Sequence, residues 1–482
     1  MKFDFTQPAP TPATLEESLE IIAELWELAS HQNEKLNTDS TNSSKPPSSD
    51  IFKRPRQKRR LKNGKSHQQQ GAQPGHEGRG RGQVPEEHLD AIIDCPPPRQ
   101  CQCGCAIQIK PGSYRPHQVF ELPPIQPIIT EYRQQFGRCE GCGTHYFGTL
   151  PDGVPSGMLG ARAIATIGTF AGEYHLSKRL IVRMLDEHFH LPVSVGTVSN
   201  AEALISKALK QPYDEAHSYI QQQPIVHADE TSHKQNGDKN WTWLGASMLV
   251  AVFFISTQRN AESAKTLLGE FFKGFLITDR WGAYNWLPVL QRQFCWAHLL
   301  RDFIKISMRS GAPGRIGESL LSCVKRMFRL WGLVRDGTIS HAQFRKSMAP
   351  IQCAIEKLLL EGTQCADKKT ANTCRNLLKH PASLWTFVEH EGIEPTNNYA
   401  EQLIRHYVIW RKNCYGTQSK RGNQFVERIL TTTTTCRLQQ RCSLEFITEA
   451  VKAYLSGTAP PSLLPKQQRD EDSSPEKLDN AA

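Results

Sequence analysis

The sequence predicts a multidomain α/β protein in which a core built on a mixed β-sheet contains an all-α insertion. Four apolar, strand-like segments lie between residues 225 and 279, and the residues on both sides of them show helical periodicity instead. The chain has 482 residues, which is enough for roughly three folded units joined by linkers. We therefore expect one large α/β core preceded by smaller N-terminal modules.

The composition is that of a protein that folds in water. Hydrophobic residues make up 38% of the chain and charged residues 22%, and the longest apolar run, 248–255, is too short to cross a bilayer. The polar, proline-rich N-terminus lacks the pattern of a secretory signal. We expect no membrane partner and a cytoplasmic location, so the 14 cysteines should be reduced thiols, some of them metal ligands.

Residues 1–40 predict a coiled-coil helix. Apolar residues recur there at seven-residue spacing, with one more in an intermediate position: Leu15, Ile22, Ala29 and Leu36, then Leu25. A coiled coil would make the protein a homo-oligomer. An amphipathic helix that packs on its own chain explains the pattern equally well, because the repeat spans only about three heptads.

Residues 41–83 predict a disordered basic linker, because they contain too few apolar residues for a core. Between residues 53 and 81 there are ten basic residues and one acid, which accounts for nearly the whole net charge of +10. Such a run is typical of an arm that follows DNA phosphates, although a solvated linker can have the same composition. The candidate DNA contacts are Lys53, Arg54, Arg56, Lys58, Arg59 and Arg60.

Residues 84–152 predict a zinc-binding module. Cys139 and Cys142 form a C-x-x-C-G knuckle, whose tight turn lets two thiolates face one Zn²⁺ ion. The other half of the site is irregular, because a single residue separates its first two cysteines. The expected ligands of a structural Zn²⁺ are Cys101, Cys103, Cys139 and Cys142, with Cys105 or Cys95 as substitutes in the first pair. Scattered free thiols are the alternative.

Residues 153–222 predict a helical DNA-binding region. Two apolar helices are followed by a short turn at 191–196 and a third helix, which is the order of a helix-turn-helix. The last helix would present Thr197, Ser199 and Asn200 to a major groove. Plain helix packing gives the same pattern, so this segment alone does not establish DNA binding.

Residues 223–308 predict the first part of a ribonuclease-H-like catalytic core. Three strands, a helix and a fourth strand follow one another, and the first and fourth strands each end on an aspartate, Asp229 and Asp279. The ends of these two strands lie side by side in such a sheet, so we expect the carboxylates to meet. Close carboxylates repel each other unless a cation neutralises them, and oxygen ligands favour Mg²⁺ or Mn²⁺. Taken singly, each aspartate could instead be a strand-end turn or a helix cap.

Residues 394–458 predict the final helices of the core and supply a third carboxylate, Glu401. A capping box is the alternative, because Asn398-x-x-Glu401 has the spacing at which the glutamate bonds back to the start of its own helix. Cations on the same helix are candidate phosphate contacts: Arg405, Arg411 and Lys412. The intervening residues 309–393 are helix-periodic over 319–333 and 344–361 and predict the all-α insertion, whereas 459–482 predict a disordered tail.

Together these motifs resemble the transposases of the insertion sequence 66 family, which belong to the Asp-Asp-Glu superfamily. The matching segments stand in one order along nearly the full chain: 43–50, the cysteine knuckles, 227–231, 278–282, 295–298 and 396–413. The resemblance implies that Asp229, Asp279 and Glu401 form the catalytic triad and hold two Mg²⁺ or Mn²⁺ ions per active site. It also implies DNA as the substrate, small accessory proteins as partners, and a bacterial, nucleoid-associated location.

Cys295 and His298 stand one helical turn apart and could form half of a metal site, but the sequence offers no second pair beside them. The resemblance marks this motif as characteristic, which favours a supporting role next to the active site over ordinary core packing. The predicted function is a transposase that nicks element ends and joins the freed 3′-hydroxyl to target DNA. The rivals are a metal-dependent nuclease of the same fold and a transposase-derived DNA-binding protein without catalysis.

Overall fold

The computed structural model describes residues 14–16, 18–22, 25, 29, 82–110, 112 and 114–465. Much of the predicted coiled coil and most of the polar tail lie outside these ranges, as do the basic residues Lys53, Arg54, Arg56, Lys58, Arg59 and Arg60. Residues 15, 16 and 18–22 are helical, and Leu15, Leu19 and Ile22 are exposed. Within the described ranges, no helix has both the length and the apolar character that a bilayer span requires.

The chain divides into two compact units, one of residues 52–127 and one of residues 1–51 and 128–482. The described part of the smaller unit is mostly extended, with a 3-10 turn at Glu86–His88. The Gln118 side chain accepts the N–H of Val84 at 2.9 Å and donates to its carbonyl at 2.8 Å. Nearly all described side chains of this unit are exposed, so apolar burial contributes little to its stability.

The larger unit contains a short hairpin followed by a group of helices. The hairpin pairs β1 (Phe136–Arg138) with β2 (His145–Phe147), and its turn carries Cys139 and Cys142. The helices are α1 (Ala161–Gly172), α2 (Lys178–Phe189), α3 (Val195–Ala208) and α4 (Lys210–Gln221). Ser177 and Ser194 cap α2 and α3, because each side chain accepts a backbone N–H from the first turn of its helix.

A mixed sheet follows, as the sequence predicts, but it has five strands instead of the four expected. Its strands are β3 (Ile225–Gln235), β4 (Asp238–Ala246), β5 (Ala251–Ser256), β6 (Phe275–Thr278) and β7 (Arg292–Phe294), in the spatial order β5-β4-β3-β6-β7. The pairs among β3, β4 and β5 are antiparallel, and those of β3 with β6 and β6 with β7 are parallel. Helix α5 (Ala261–Leu268) lies between β5 and β6 in the chain.

The chain beyond the sheet is helical. The helices are α6 (Trp296–Ser307), α7 (Ala312–Arg335), α8 (His341–Thr363), α9 (Lys368–Leu378), α10 (Thr386–Glu389), α11 (Asn398–Cys414), α12 (Lys420–Leu438) and α13 (Ser443–Ser456). Apolar residues of α6 to α10 form a core that also includes Ile277 and Phe294 of the sheet. Helices α11 to α13 contribute to a second core, together with the sheet and α1 to α4.

Helix α12 covers the edge strand β5 with polar side chains. Three acceptors spaced four residues apart, Glu427, Thr431 and Thr435, take the backbone N–H groups of Ile255, Phe253 and Ala251 at 2.7, 2.9 and 3.1 Å. Four helical residues rise about 6 Å and two strand residues about 6.6 Å, so the two spacings match. The outward N–H groups of β5 are therefore satisfied within the chain.

Candidate active site

Strands β3 and β6 bring Asp229 and Asp279 to the same end of the sheet. The two strands are parallel neighbours, in register from Ile225 opposite Phe275 to His227 opposite Ile277. Each aspartate lies two residues beyond the last paired residue of its strand. The carboxylates therefore emerge where the pairing of β3 with β6 ends.

Asp229 does not end its strand, contrary to the expectation from the sequence. Strand β3 continues to Gln235 and pairs with β4 as far as Asp238. The residues after Asp229 are mostly polar, so hydrophobic patterning does not mark them as a strand. Asp279 does follow β6 directly, and its Oδ1 accepts the N–H of Trp281 at 2.8 Å, which is a strand-end turn.

Glu401 lies in the first turn of α11, and the start of that helix is bonded to the start of α6. The N–H of Trp296 donates to the carbonyl of Pro395 at 2.9 Å, and the N–H of Asn397 donates to Sγ of Cys295 at 3.1 Å. These bonds join segments that are far apart in sequence. They bring Glu401 next to the first turn of α6.

The capping-box alternative for Glu401 is wrong. The cap residue is Asn397 instead of Asn398, and its side chain makes no cap hydrogen bond. The Asn397 amide instead donates to the carbonyl of Ala228 at 2.8 Å and accepts from Nδ1 of His227 at 3.1 Å. Asn397 therefore links the helix of Glu401 to the strand of Asp229.

The three predicted catalytic acids interact electrostatically. Burial raises the pKa of Asp229 well above its ordinary value, and the charges of Glu230, Asp279 and Glu401 raise it further. Burial also raises the pKa of Glu401, where Arg301 acts in the opposite direction and Asp279 in the same direction. Both carboxylates thus carry an electrostatic cost when ionised, which a bound cation would relieve.

The donor atoms of this group fit a hard divalent cation. Carboxylate oxygens are the ligands that Mg²⁺ and Mn²⁺ prefer. Oε1 of Glu401 is buried and has no hydrogen-bond partner among the described residues. An acceptor in that state is available to a metal ion.

A further acid, Glu230, adjoins the group and was not selected from the sequence. Its buried side chain pairs with Nη2 of Arg259 at 2.6 Å and accepts from the hydroxyl of Tyr284 at 2.8 Å. Burial raises its pKa, and the charge of Asp279 adds to the shift. Neighbouring strand residues point to opposite faces, which explains why Glu230 reaches Arg259 and Tyr284 on the side away from Asp229.

Cys295 and His298 form a second cluster with Glu401. One ligand atom from each of the three side chains lies within 4.8 Å of the other two. Nδ1 of His298 is 3.5 Å from Oε1 of Glu401, and among the described residues neither atom has a hydrogen-bond partner. Burial, assisted by the charge of Arg301, lowers the pKa of His298 to about 4, so its imidazole is neutral at pH 7.

The three residues of α3 that were expected to face DNA differ in their exposure and in their hydrogen bonds. Asn200 is exposed. The hydroxyl of Ser199 accepts hydrogen bonds from Lys178 at 3.2 Å and Arg421 at 3.1 Å. Thr197 shares a hydrogen bond of 3.0 Å with Ser194 at the start of the helix. Of the three, Asn200 is the most accessible to a ligand.

The cations of α11 also differ in their surroundings. Arg405 and Lys412 are exposed. Arg411 instead donates to the hydroxyls of Ser232 at 2.7 Å and Thr231 at 3.2 Å. Arg411 therefore joins α11 to β3.

The cysteines of the predicted zinc module fall in both units. In the hairpin turn, Sγ of Cys142 lies 3.1 Å from Oγ1 of Thr144. Hydrogen bonds from Thr144 and from Cys139 lower the pKa of Cys142 to about 7.

In the smaller unit, the N–H of Cys101 donates to the carbonyl of Cys105 at 2.8 Å and closes a tight turn. Hydrogen bonds from Cys105 and Cys101 lower the pKa of Cys103. The thiol of Cys95 contacts the carbonyl of Ile93 instead. Both turns favour thiolates, and the binding of zinc by these cysteines stays a prediction.

Comparison with known proteins defines the class of the chain as a transposase. A family profile described as "Transposase IS66 family" matches residues 156–425, more than half of the chain. A second profile, of a family of unknown function, matches residues 7–82. The "Uncharacterized protein y4hP" of Sinorhizobium fredii is 25% identical over 384 residues, which cover 71% of this chain and 68% of that protein.

The chain belongs to the IS66 family of transposases. This confirms the resemblance drawn from the motifs. Membership in a transposase family implies a DNA substrate and suggests DNA cleavage assisted by divalent metal ions. The matched region contains all three predicted catalytic acids and the cluster of Cys295 and His298.

Proposed function

We propose that this transposase nicks the ends of its element and joins the freed 3′-hydroxyl to target DNA, with Asp229, Asp279 and Glu401 as catalytic acids. The observation that carries the proposal is the convergence of three elements. Parallel pairing of β3 with β6 brings Asp229 and Asp279 to one end of the sheet, and Asn397 bonds the start of α11, which carries Glu401, to β3. Carboxylates that approach one another repel unless a cation neutralises them.

The order of the sheet supports a ribonuclease-H-like core. Three antiparallel strands are followed by a helix and by two strands parallel to the first. Helices α7 to α9 lie between the sheet and α11 along the chain, at the position in the sequence where the all-α insertion is expected. The short pairing of β3 with β6 puts the first two acids at the same end of the sheet.

In this proposal Asp229, Asp279 and Glu401 hold two divalent cations, Mg²⁺ or Mn²⁺. When bound, such ions activate the attacking oxygen and neutralise charge on the leaving oxygen. The protein fixes the three carboxylates through strand pairing, through the Asn397 bridge and through the bonded starts of α6 and α11. Pre-set ligands avoid reorganisation during the reaction.

Both proposed reactions exchange one phosphorus–oxygen bond for another: cleavage hydrolyses a phosphodiester, and joining forms a new one. In cleavage, the oxygen of water bonds to phosphorus, the bond from phosphorus to the 3′-oxygen breaks, and the 3′-oxygen leaves as a hydroxyl. In joining, that hydroxyl oxygen bonds to a target phosphorus and displaces the target's own 3′-oxygen. The attacking group gives up its proton and the leaving oxygen gains one, so each step balances without a covalent protein–DNA bond.

A strand-transfer assay tests the proposal. The full chain is incubated with DNA that carries the element ends, target plasmid and Mg²⁺, and the products are resolved on denaturing gels. Joined products support the proposal. Nicks without joining would instead indicate a nuclease, and DNA binding without any cleavage would indicate a DNA-binding protein; either result overturns it.

A further inference from the structure

The cluster of Cys295, His298 and Glu401 brings together a sulfur, a nitrogen and an oxygen donor. Their ligand atoms lie within 4.8 Å of one another. Nδ1 of His298 and Oε1 of Glu401 are buried and have no hydrogen-bond partner in the part of the chain that the structure describes. Two unpartnered ligand atoms on side chains that cluster with a thiol form an arrangement that a metal ion would complete.

The chemistry of these donors differs from that of the proposed catalytic site. Thiolate and imidazole ligands select Zn²⁺ and similar ions, whereas Mg²⁺ prefers oxygen and seldom binds sulfur. The backbone N–H of Asn397 donates to Sγ of Cys295 at 3.1 Å, and such a bond stabilises a thiolate. Three protein ligands also leave one position of a tetrahedral Zn²⁺ site open.

We propose that Cys295, His298 and Glu401 bind a thiophilic divalent ion of the Zn²⁺ class, at a site that shares Glu401 with the catalytic acids. The binding itself depends only on these three side chains. Its consequence rests on the proposed function: an ion at this site engages Glu401 and so competes with Mg²⁺ for that carboxylate. Occupancy by Zn²⁺ would then inhibit strand cleavage.

The positive charge of Arg301 disfavours the binding of such an ion. Its Nη2 lies 3.7 Å from Oε1 of Glu401, so its charge opposes a cation at the same oxygen. Its side chain is partly exposed and can turn toward solvent. Arg301→Gln is therefore expected to tighten binding, by about 1.5- to fivefold if the pair with Glu401 is typical of exposed ion pairs.

Cobalt titration of the full chain tests the proposal, because Co²⁺ takes the place of Zn²⁺ and gives a near-ultraviolet band when it binds a thiolate. If the cysteine knuckle binds zinc as predicted, it would also bind Co²⁺, so the readout is the difference between proteins. Cys295→Ser and His298→Gln should each bind about one Co²⁺ fewer per chain than the wild type. Cys295→Ser should also lose part of the thiolate band. Cys353→Ser, at an exposed helical position, is the matched control and should behave as the wild type.

Equal Co²⁺ stoichiometry in the wild type, Cys295→Ser and His298→Gln would overturn the proposal. Circular dichroism shows whether each variant folds, and His298→Gln decides the outcome if Cys295→Ser does not. Metal binding is measured without DNA, so this result is independent of the strand-transfer assay. A protein that binds Co²⁺ at the cluster but fails to cut DNA would contradict the proposed function and leave this site standing.

Discussion

Oδ1 of Asn397 lies 3.1 Å from Nδ1 of His227, so the residue that precedes α11 is hydrogen-bonded to β3 two positions before Asp229. The same buried amide donates to the carbonyl of Ala228 at 2.8 Å. Since Glu401 follows Asn397 within one turn of helix, the separation of Asp229 and Glu401 depends on this bridge.

Asn397→Ala should lower both stability and nicking. The substitution leaves the carbonyl of Ala228 and Nδ1 of His227 buried without their partner, which costs about 1–3 kcal/mol. We expect kcat for nicking to fall more than DNA affinity does. Asn398→Ala is the control, because the exposed Asn398 does not cap the helix. Denaturant unfolding and single-turnover nicking measure the two effects, and equal losses in both variants would contradict the assignment.

Asp229→Asn, Asp279→Asn and Glu401→Gln should each abolish nicking while DNA affinity changes little. Each substitution removes the charge that would hold a divalent ion, whereas phosphate contacts elsewhere dominate DNA binding. Gel-based nicking with Mg²⁺ and a fluorescence binding assay give the two readouts. Glu318→Gln, exposed on α7, serves as the matched control. Cleavage at the wild-type rate by any of the three variants would remove that residue from the triad.

Glu427→Gln should stabilise the protein at alkaline pH. Burial raises the pKa of Glu427 to about 7. The unfolded chain releases this proton near pH 4.5 and the folded chain only near pH 7, so wild-type stability falls as pH rises between these values. The loss amounts to at most about 3 kcal/mol.

The glutamine variant has no proton to lose and still offers an oxygen to the N–H of Ile255. It should match the wild type near pH 4.5 and exceed it at pH 8. Urea unfolding at several pH values measures the difference. Parallel pH profiles for the two proteins would show that Glu427 does not hold its proton in the folded state.

Gly317→Ala should destabilise the helical insertion. A Cβ atom at Gly317 would lie 2.3 Å from the backbone nitrogen of Ser307, so α7 and the end of α6 would have to separate. Overpacking of this kind costs about 1–3 kcal/mol. Gly332→Ala in the same helix meets nothing within 4 Å and should instead stabilise by about 0.5–1 kcal/mol. Thermal unfolding of the two variants should therefore shift in opposite directions.

Cys139→Ser should lower the zinc content of the purified protein by about one ion per chain. The hairpin turn already favours a thiolate at Cys142, which is a property of metal-binding cysteines. Elemental analysis after dialysis, with Cys353→Ser as control, gives the stoichiometry. Unchanged zinc content in Cys139→Ser would instead indicate that the cysteines are free thiols.

Much of the secondary structure follows from local patterns. The apolar runs near 225, 241, 249 and 274 all fall on strands, and both periodic segments of the insertion fall within α7 and α8. Strand β7 escaped prediction because three residues carry too little periodicity. The extension of β3 beyond Asp229 was not predicted either. Its residues are mostly polar, and they form a strand because they pair with β4.

The site was less predictable because it depends on contacts between distant segments. The capping-box spacing at Asn398 is local, yet the helix starts where Asn397 bonds to Ala228. The pair of Cys295 and His298 lacked a visible partner in sequence, because the third donor, Glu401, arrives only when α6 and α11 begin side by side. Contacts between distant segments therefore determine both the start of α11 and the third member of the cluster.

The hydrogen bonds between side chains of α12 and the backbone of β5 limit how copies of this protein can associate. A neighbouring chain cannot extend the sheet at that border, because Glu427, Thr431 and Thr435 already occupy its outward amides. Copies of the protein would therefore not assemble by adding a strand at β5, and an association would have to use other surfaces of the chain.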